Sequence, residues 1–190
     1  MLLFRNILDG VPAGRLHGAT FYLASALKAQ AVPVVLSDLK LSRLDEKGPW
    51  GLAALGRLLK EHPDITVAGL TLYDSCFEDS RRLLRFLRAR TRAFTVVGGI
   101  MPTLNYREVF VHLPEAHLVA RGAGETVLPA VMRALGPSDA SAVLPLDRRE
   151  ELAALEGVLF ADEGGLGLAG AERAPRVSDL DSSVLDFSLL

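Results

Sequence analysis

The hydrophobic positions of this chain fall into two alternating kinds of segment. Short apolar runs stand at 2–8 (LLFRNIL), 32–39 (VPVVLSDL), 65–72 (ITVAGLTL), 93–99 (AFTVVGG) and 116–122 (AHLVARG). Their length and β-branched content predict strands. Between them the spacing turns helical. In 14–30 positions 16, 20, 23, 24 and 27 share one face, and in 77–92 the apolar residues are Leu83, Leu84, Phe86 and Leu87. Helices are predicted at 14–30, 49–62, 77–92, 106–113 and 125–136. Pro49 suits a first helical turn, and Gly136-Pro137 is a stop signal. Pro129 falls in the second turn of its helix and is expected to disturb it. The run at 65–72 is apolar almost throughout, as in a parallel strand covered on both faces.

Five β-α repeats predict an α/β fold, a doubly wound five-stranded parallel sheet of flavodoxin-like, Rossmann-like type. Right-handed crossovers gather the βα loops along one edge, where such sheets bind ligands. The loops at 9–18, 71–76, 98–104 and 121–125 therefore carry the chemistry. After Pro137 the pattern changes. Residues 155–170 predict a hairpin turning at Asp162-Glu163-Gly164-Gly165, and 173–190 have no period and read as an extended connector. The expected organisation is an α/β domain at 1–137, then a hairpin and linker at 138–190 leading towards something further.

Composition narrows the function. With 190 residues, 49% hydrophobic and 23% charged, the chain can bury one ordinary core. A net charge of −2 gives no field that recruits nucleic acid, which is not an expected partner. The arginines at 81, 82, 85, 88, 90 and 92 read as a solvated helix face. Cys76 is the sole cysteine, so an internal disulfide and a CxxC pair are excluded; it reads as a structural thiol. His62, His112 and His117 lack metal-ligand spacing, and His17 reads as a surface or packing residue. No apolar run approaches the roughly 20 residues of a membrane span, and the start, MLLFRNILDG, is too short for a signal peptide. No membrane partner and a cytoplasmic location are expected.

The most pointed feature is Gly98-Gly99 at the end of a strand. Two adjacent glycines there imply that something bulky lies against bare backbone. Met101-Pro102-Thr103 follows, and 18 residues beyond Thr103 comes Arg121-Gly122-Ala123-Gly124-Glu125. This GGxxPT…RGxGE pair, with the hairpin and linker behind it, resembles the N-terminal cobalamin (B12)-binding domains of B12-dependent radical S-adenosylmethionine enzymes. The likeness runs along nearly the whole chain.

The wider B12-binding fold, which this family resembles, has D-x-H-x-x-G in its first loop, and a His-less loop is common among the radical S-adenosylmethionine members. Asp9 and Gly14 match that motif, and Val11 stands where the histidine would be. Valine has no lone pair for a metal, so the resemblance implies a His-off mode with no lower protein ligand to cobalt. The wider fold's S-x-L falls on Thr71, Leu72 and Tyr73, which keeps the hydroxyl and departs at Tyr73. The resemblance implies that the benzimidazole tail runs between strand ends lined by Thr71, Gly98 and Gly99. It extends the cofactor-binding set to Pro102, Thr103, Gly122, Gly124 and Glu125. Glu125 reads equally as a helix-dipole partner. Ala123 departs from the glutamate that the family often has there.

The resemblance also implies a radical S-adenosylmethionine barrel downstream, with a 4Fe-4S cluster and S-adenosylmethionine in the full-length protein only. CxxxCxxC occurs nowhere in these 190 residues. The whole enzyme is then expected to be a methyltransferase. A different class stays open: the same fold without cofactor, acting as a structural or substrate-presenting module. A receiver or nucleotide-binding domain fits worse. Asp9 and Asp74 stand near receiver positions, but Arg121 replaces the expected lysine, and no P-loop or GxGxxG follows the first strand.

Overall fold

The computed structural model describes residues 1–6, 18–40, 45, 51–73, 76–136, 146–161 and 168–170. Seven strands, β1 (Leu2–Asn6), β2 (Val35–Leu39), β3 (Val67–Thr71), β4 (Phe94–Gly98), β5 (Leu118–Ala120), β6 (Val158–Ala161) and β7 (Leu168–Gly170), form one sheet in the order β2-β1-β3-β4-β5-β6-β7. The first five are parallel, as the apolar runs predict. The direction of winding reverses between β1 and β3, which makes that edge the switch point of the sheet.

The alternation of side chains along each strand feeds two cores. On one face Ala68, Leu70, Val97 and Val119 meet α2 (Leu52–Glu61), α3 (Phe77–Arg90) and α4 (Ile100–His112), through Leu55, Leu83, Leu84, Leu87 and Val109. On the other face Val67, Phe94, Val96 and Leu118 meet α1 (Gly18–Lys28) and α5 (Gly124–Leu135), through Ala24, Leu27, Val127, Leu128 and Val131. The central strands are thus buried on both sides, which is why they read as continuous apolar runs.

Three features depart from the sequence reading. The helix expected at 106–113 begins at Ile100, directly after Gly99. Met-Pro-Thr reads as a loop, but Pro102 sits in the first turn, where its missing N–H would have had no partner. The two halves of α4 meet at Asn105, whose φ and ψ of −127° and 43° are not helical. A further helix, α6 (Leu146–Ala153), was not expected. It places Leu152 in the core beside Leu135 and Val158. Finally, the hairpin strands join the main sheet: β6 runs antiparallel to β5, with Val119 opposite Leu159, and β7 pairs with β6. Residues 158–161 and 168–170 therefore continue the sheet. The turn expected at 162–165 and the connector at 173–190 lie outside the described residues. Pro129 is accommodated inside α5, which runs on to Leu135.

Candidate functional site

The face of the sheet beneath α1 and α5 tapers. At its amino end stand Val67, Phe94 and Leu118, all bulky. Two residues further along each strand, on the same face, stand Gly69, Val96 and Ala120, and then Thr71 and Gly98. The register sets Gly69 beside Val96 and Thr71 beside Gly98. Helices packed on the bulky end cannot also touch the small end. The result is a cavity of about 290 Å³ at the carboxyl ends of β3, β4 and β5.

Its walls are Ala19, Thr20, Tyr22 and Leu23 of α1, the strand residues just named with Leu70, and Gly99, Gly122, Gly124, Glu125 and Leu128. Gly124 lets α5 close on α1, since a Cβ there would come within 2.7 Å of Leu23 Cδ2. Ala123 caps α5 without a side-chain hydrogen bond, and Glu125 stands in the first turn. Uncapped N–H groups at such a turn favour negative or carbonyl-rich partners.

The adjacent glycines prove to have different reasons. Gly99 has φ of +107°, and a Cβ on it would lie 2.9 Å from Thr71 Cγ2. It is glycine for the sake of the backbone. Gly98 has no positive φ, and a Cβ on it would meet Ala120 O at 3.4 Å and Ala120 Cβ at 3.7 Å. It lines the cavity, so a larger side chain there would occupy the hollow.

The two sequence motifs are joined by one side chain. The Thr103 hydroxyl donates to Gly99 O at 2.7 Å and accepts from the Gly122 N–H at 3.0 Å. Arg121 donates from Nε and Nη2 to Thr103 O, both at 3.2 Å, and its guanidinium lies 4.3 Å from the centroid of Tyr106. Thr103 therefore braces the loops after β4 and β5 on either side of the cavity mouth. Leu72 donates its N–H to Gly98 O at 2.9 Å, but its side chain is buried in the opposite core. Pro102 is buried in the first turn of α4, and Tyr73 is half-buried with its phenol pKa raised by burial and then by Cys76. Neither they nor Leu72 line the cavity.

Of the residues expected from sequence, the fold brings Thr71, Gly98, Gly99, Gly122, Gly124 and Glu125 together around one hollow. Asp9, Val11 and Gly14 lie outside the described residues. The residues missed are the α1 wall and the floor at Gly69, Val96, Ala120 and Leu128. A signal existed: small residues recur at the carboxyl ends of three neighbouring strands.

The cavity suits part of a large flat cofactor. Its volume sits at the lower bound for ligand pockets, enough for a fused-ring base and too small for a whole macrocycle. Among the described residues no cluster of three or more His, Cys, Asp or Glu could hold a metal ion. Nor is any described helix long and apolar enough to cross a membrane.

Comparison with known proteins agrees with this geometry. A family model described as "B12 binding domain" matches residues 17–132. No curated protein matches the chain. Among solved structures, the radical S-adenosylmethionine methyltransferase TsrM from Kitasatospora setae, with cobalamin and a [4Fe-4S] cluster bound, aligns with a TM-score of 0.67. The identity is 18%, over 97% of this chain and 30% of that one. The same enzyme with tryptophan and a S-adenosylmethionine analogue aligns at TM-score 0.66 and 21% identity, over 92% and 29%. The cobalamin-dependent S-adenosylmethionine radical enzyme OxsB, with aqua-cobalamin and S-adenosylmethionine bound, aligns at 0.64 and 19% identity, over 92% and 22%. The chain thus spans less than a third of the solved chains it matches.

Proposed function

Because the chain belongs to the B12-binding domain family, we propose that it holds cobalamin with the corrin over the carboxyl edge of the sheet and the tail in the cavity. The observation that carries this reading is the tapered face. Thr71, Gly98 and Ala120 leave a hollow at the strand ends, inside the span that the family model matches. Gly98 offers bare backbone to a flat ring, Thr71 offers one hydroxyl, and Leu23, Val96 and Leu128 exclude water from the ring's faces. Gly124 and Glu125 present the first turn of α5 to amide or phosphate groups of the cofactor. Thr103 and Arg121 keep the two rim loops in register. When bound, cobalamin supplies a cobalt centre that carries methyl groups; the protein supplies orientation and exclusion of water.

Valine at position 11 supports a His-off mode. The neighbours support a place within a larger radical S-adenosylmethionine enzyme, a methyltransferase, whose cluster and S-adenosylmethionine lie in a barrel beyond these 190 residues.

Hydroxocobalamin mixed with the purified chain tests the central claim. Its chromophore should co-elute with the protein in gel filtration at close to one per chain. Complete separation of colour from protein would overturn the reading and leave a cofactor-free structural module. The His-off mode has its own test in the EPR spectrum of the bound cobalt(II) corrinoid. No axial nitrogen splitting is expected, and a nitrogen triplet would refute it.

A further inference from the structure

We infer that this cavity sorts corrinoids by the base that ends their tail, admitting benzimidazoles and rejecting purines. The inference rests on the cobalamin reading above and carries it from the macrocycle to the identity of its lower base.

The argument is one of hydrogen-bond supply. The buried floor is made by Gly69, Thr20 (3% exposed), Val96 (2%), Ala120 (6%) and Leu128 (5%); the Leu70 side chain points into the opposite core. Thr20 is the one polar side chain among them. Tyr22, Thr71 and Glu125 stand at the half-buried rim. The backbone under the floor is paired in the sheet, Gly69 with Val96 and Ala120 with Val158 of β6. A guest that reaches the floor therefore finds apolar surface and a single hydroxyl.

A dimethylbenzimidazole matches that supply. One of its ring nitrogens is bonded to the ribose, and the other accepts one hydrogen bond, which Thr20 Oγ1 can donate. Its two methyl groups bury without leaving a polar atom unpaired. Adenine brings two further ring nitrogens and an exocyclic amine. Against Val96, Ala120 and Leu128 these would be stripped of water and left unpaired, which is costly for each group.

Equilibrium titration of the full chain with three probes tests this: hydroxocobalamin, its adeninyl counterpart, and cobinamide, which lacks the base. Cobalamin should bind most tightly, and the adeninyl form at least about tenfold more weakly. Cobinamide should also bind more weakly than cobalamin. Thr20→Val keeps the volume and removes the donor; it should weaken cobalamin several-fold and leave cobinamide unchanged. Equal affinity for the two bases overturns the inference while the cobalamin reading stands; equal affinity for cobalamin and cobinamide overturns the inference and the placing of the tail in the cavity, leaving only corrin binding. Failure of all three corrinoids to bind overturns the cobalamin reading itself. Unchanged cobalamin affinity in Thr20→Val removes Thr20 from the argument and overturns that part of it.

Discussion

Substitution of Gly98 by leucine should separate stability from binding. The Cβ would point onto the face shared with Val96, where its nearest neighbours are Ala120 O at 3.4 Å and Ala120 Cβ at 3.7 Å. The first contact is tight enough to require a shift of a few tenths of an ångström. Beyond it the side chain enters a hollow of about 290 Å³. The φ of Gly98 is not positive, so no backbone strain opposes the change. Loss of a strand glycine favours folding by roughly 0.5–1 kcal/mol. Burial of the leucine adds at most about 1.5–3 kcal/mol, reduced by the tight contact. The variant should therefore be as stable as the wild type or more so, with an equal or higher urea midpoint. It should also lose at least about tenfold in cobalamin affinity, because side chain and tail base would compete for one space. Spectrophotometric titration and urea unfolding on the same preparation give both numbers. A variant that binds cobalamin with unchanged affinity would refute the reasoning. So would one destabilised by several kcal/mol, since the hollow would then not be open at Gly98.

The neighbouring glycine should behave oppositely: Gly99→Ala places a Cβ 2.9 Å from Thr71 Cγ2 at a φ of +107° and should cost about 1–3 kcal/mol in urea unfolding, so a neutral result would contradict the geometry. Thr103→Val removes the brace to Gly99 O and Gly122 N and should lower stability by about 1–2 kcal/mol, while Thr103→Ser should retain most of it; equal losses in both would assign the effect to packing. His117 should make stability pH-dependent, because burial and, secondarily, the charge of Arg88 lower its pKa from 6.5 to about 4, and its Nδ1 accepts the Thr95 N–H at 3.1 Å. Above pH 6.5 the ring is neutral folded or unfolded and its contribution is whole; between pH 6.5 and about 4 the unfolded chain takes the proton first. Stability should then fall with falling pH by up to about 3 kcal/mol. His117→Gln should flatten that slope between pH 6.5 and 5, and parallel wild-type and variant curves would exclude the histidine as its source.

How much of this was legible beforehand follows from which forces are local. Strands such as 67–71 and 94–98 announce themselves because burial on both faces demands unbroken apolar runs, and α3 and α5 because one face alone is buried. The start of α4 was hidden, since a proline in a first turn looks like a loop until the helix behind it is seen. Helix α6 was hidden too: its segment, LDRREELA, is mostly charged, and among its described side chains Leu152 alone is fully buried, with Ala153 partly buried beside the core.

The sequence by itself determined the alternating layers, the sheet class and the pair of motifs that flank the mouth of the cavity. It could not supply the reason for the pair, which is a hydrogen bond between residues 19 apart in the chain, Thr103 and Gly122. Nor could it assemble the hollow. Gly69, Gly98 and Ala120 become neighbours only through strand register, and Thr20 and Leu23 face them only once α1 has docked across the sheet. Composition and periodicity are properties of single segments, whereas a cavity is the space left between several. Its shape is fixed by how bulky residues at one end of a face hold helices away from small residues at the other.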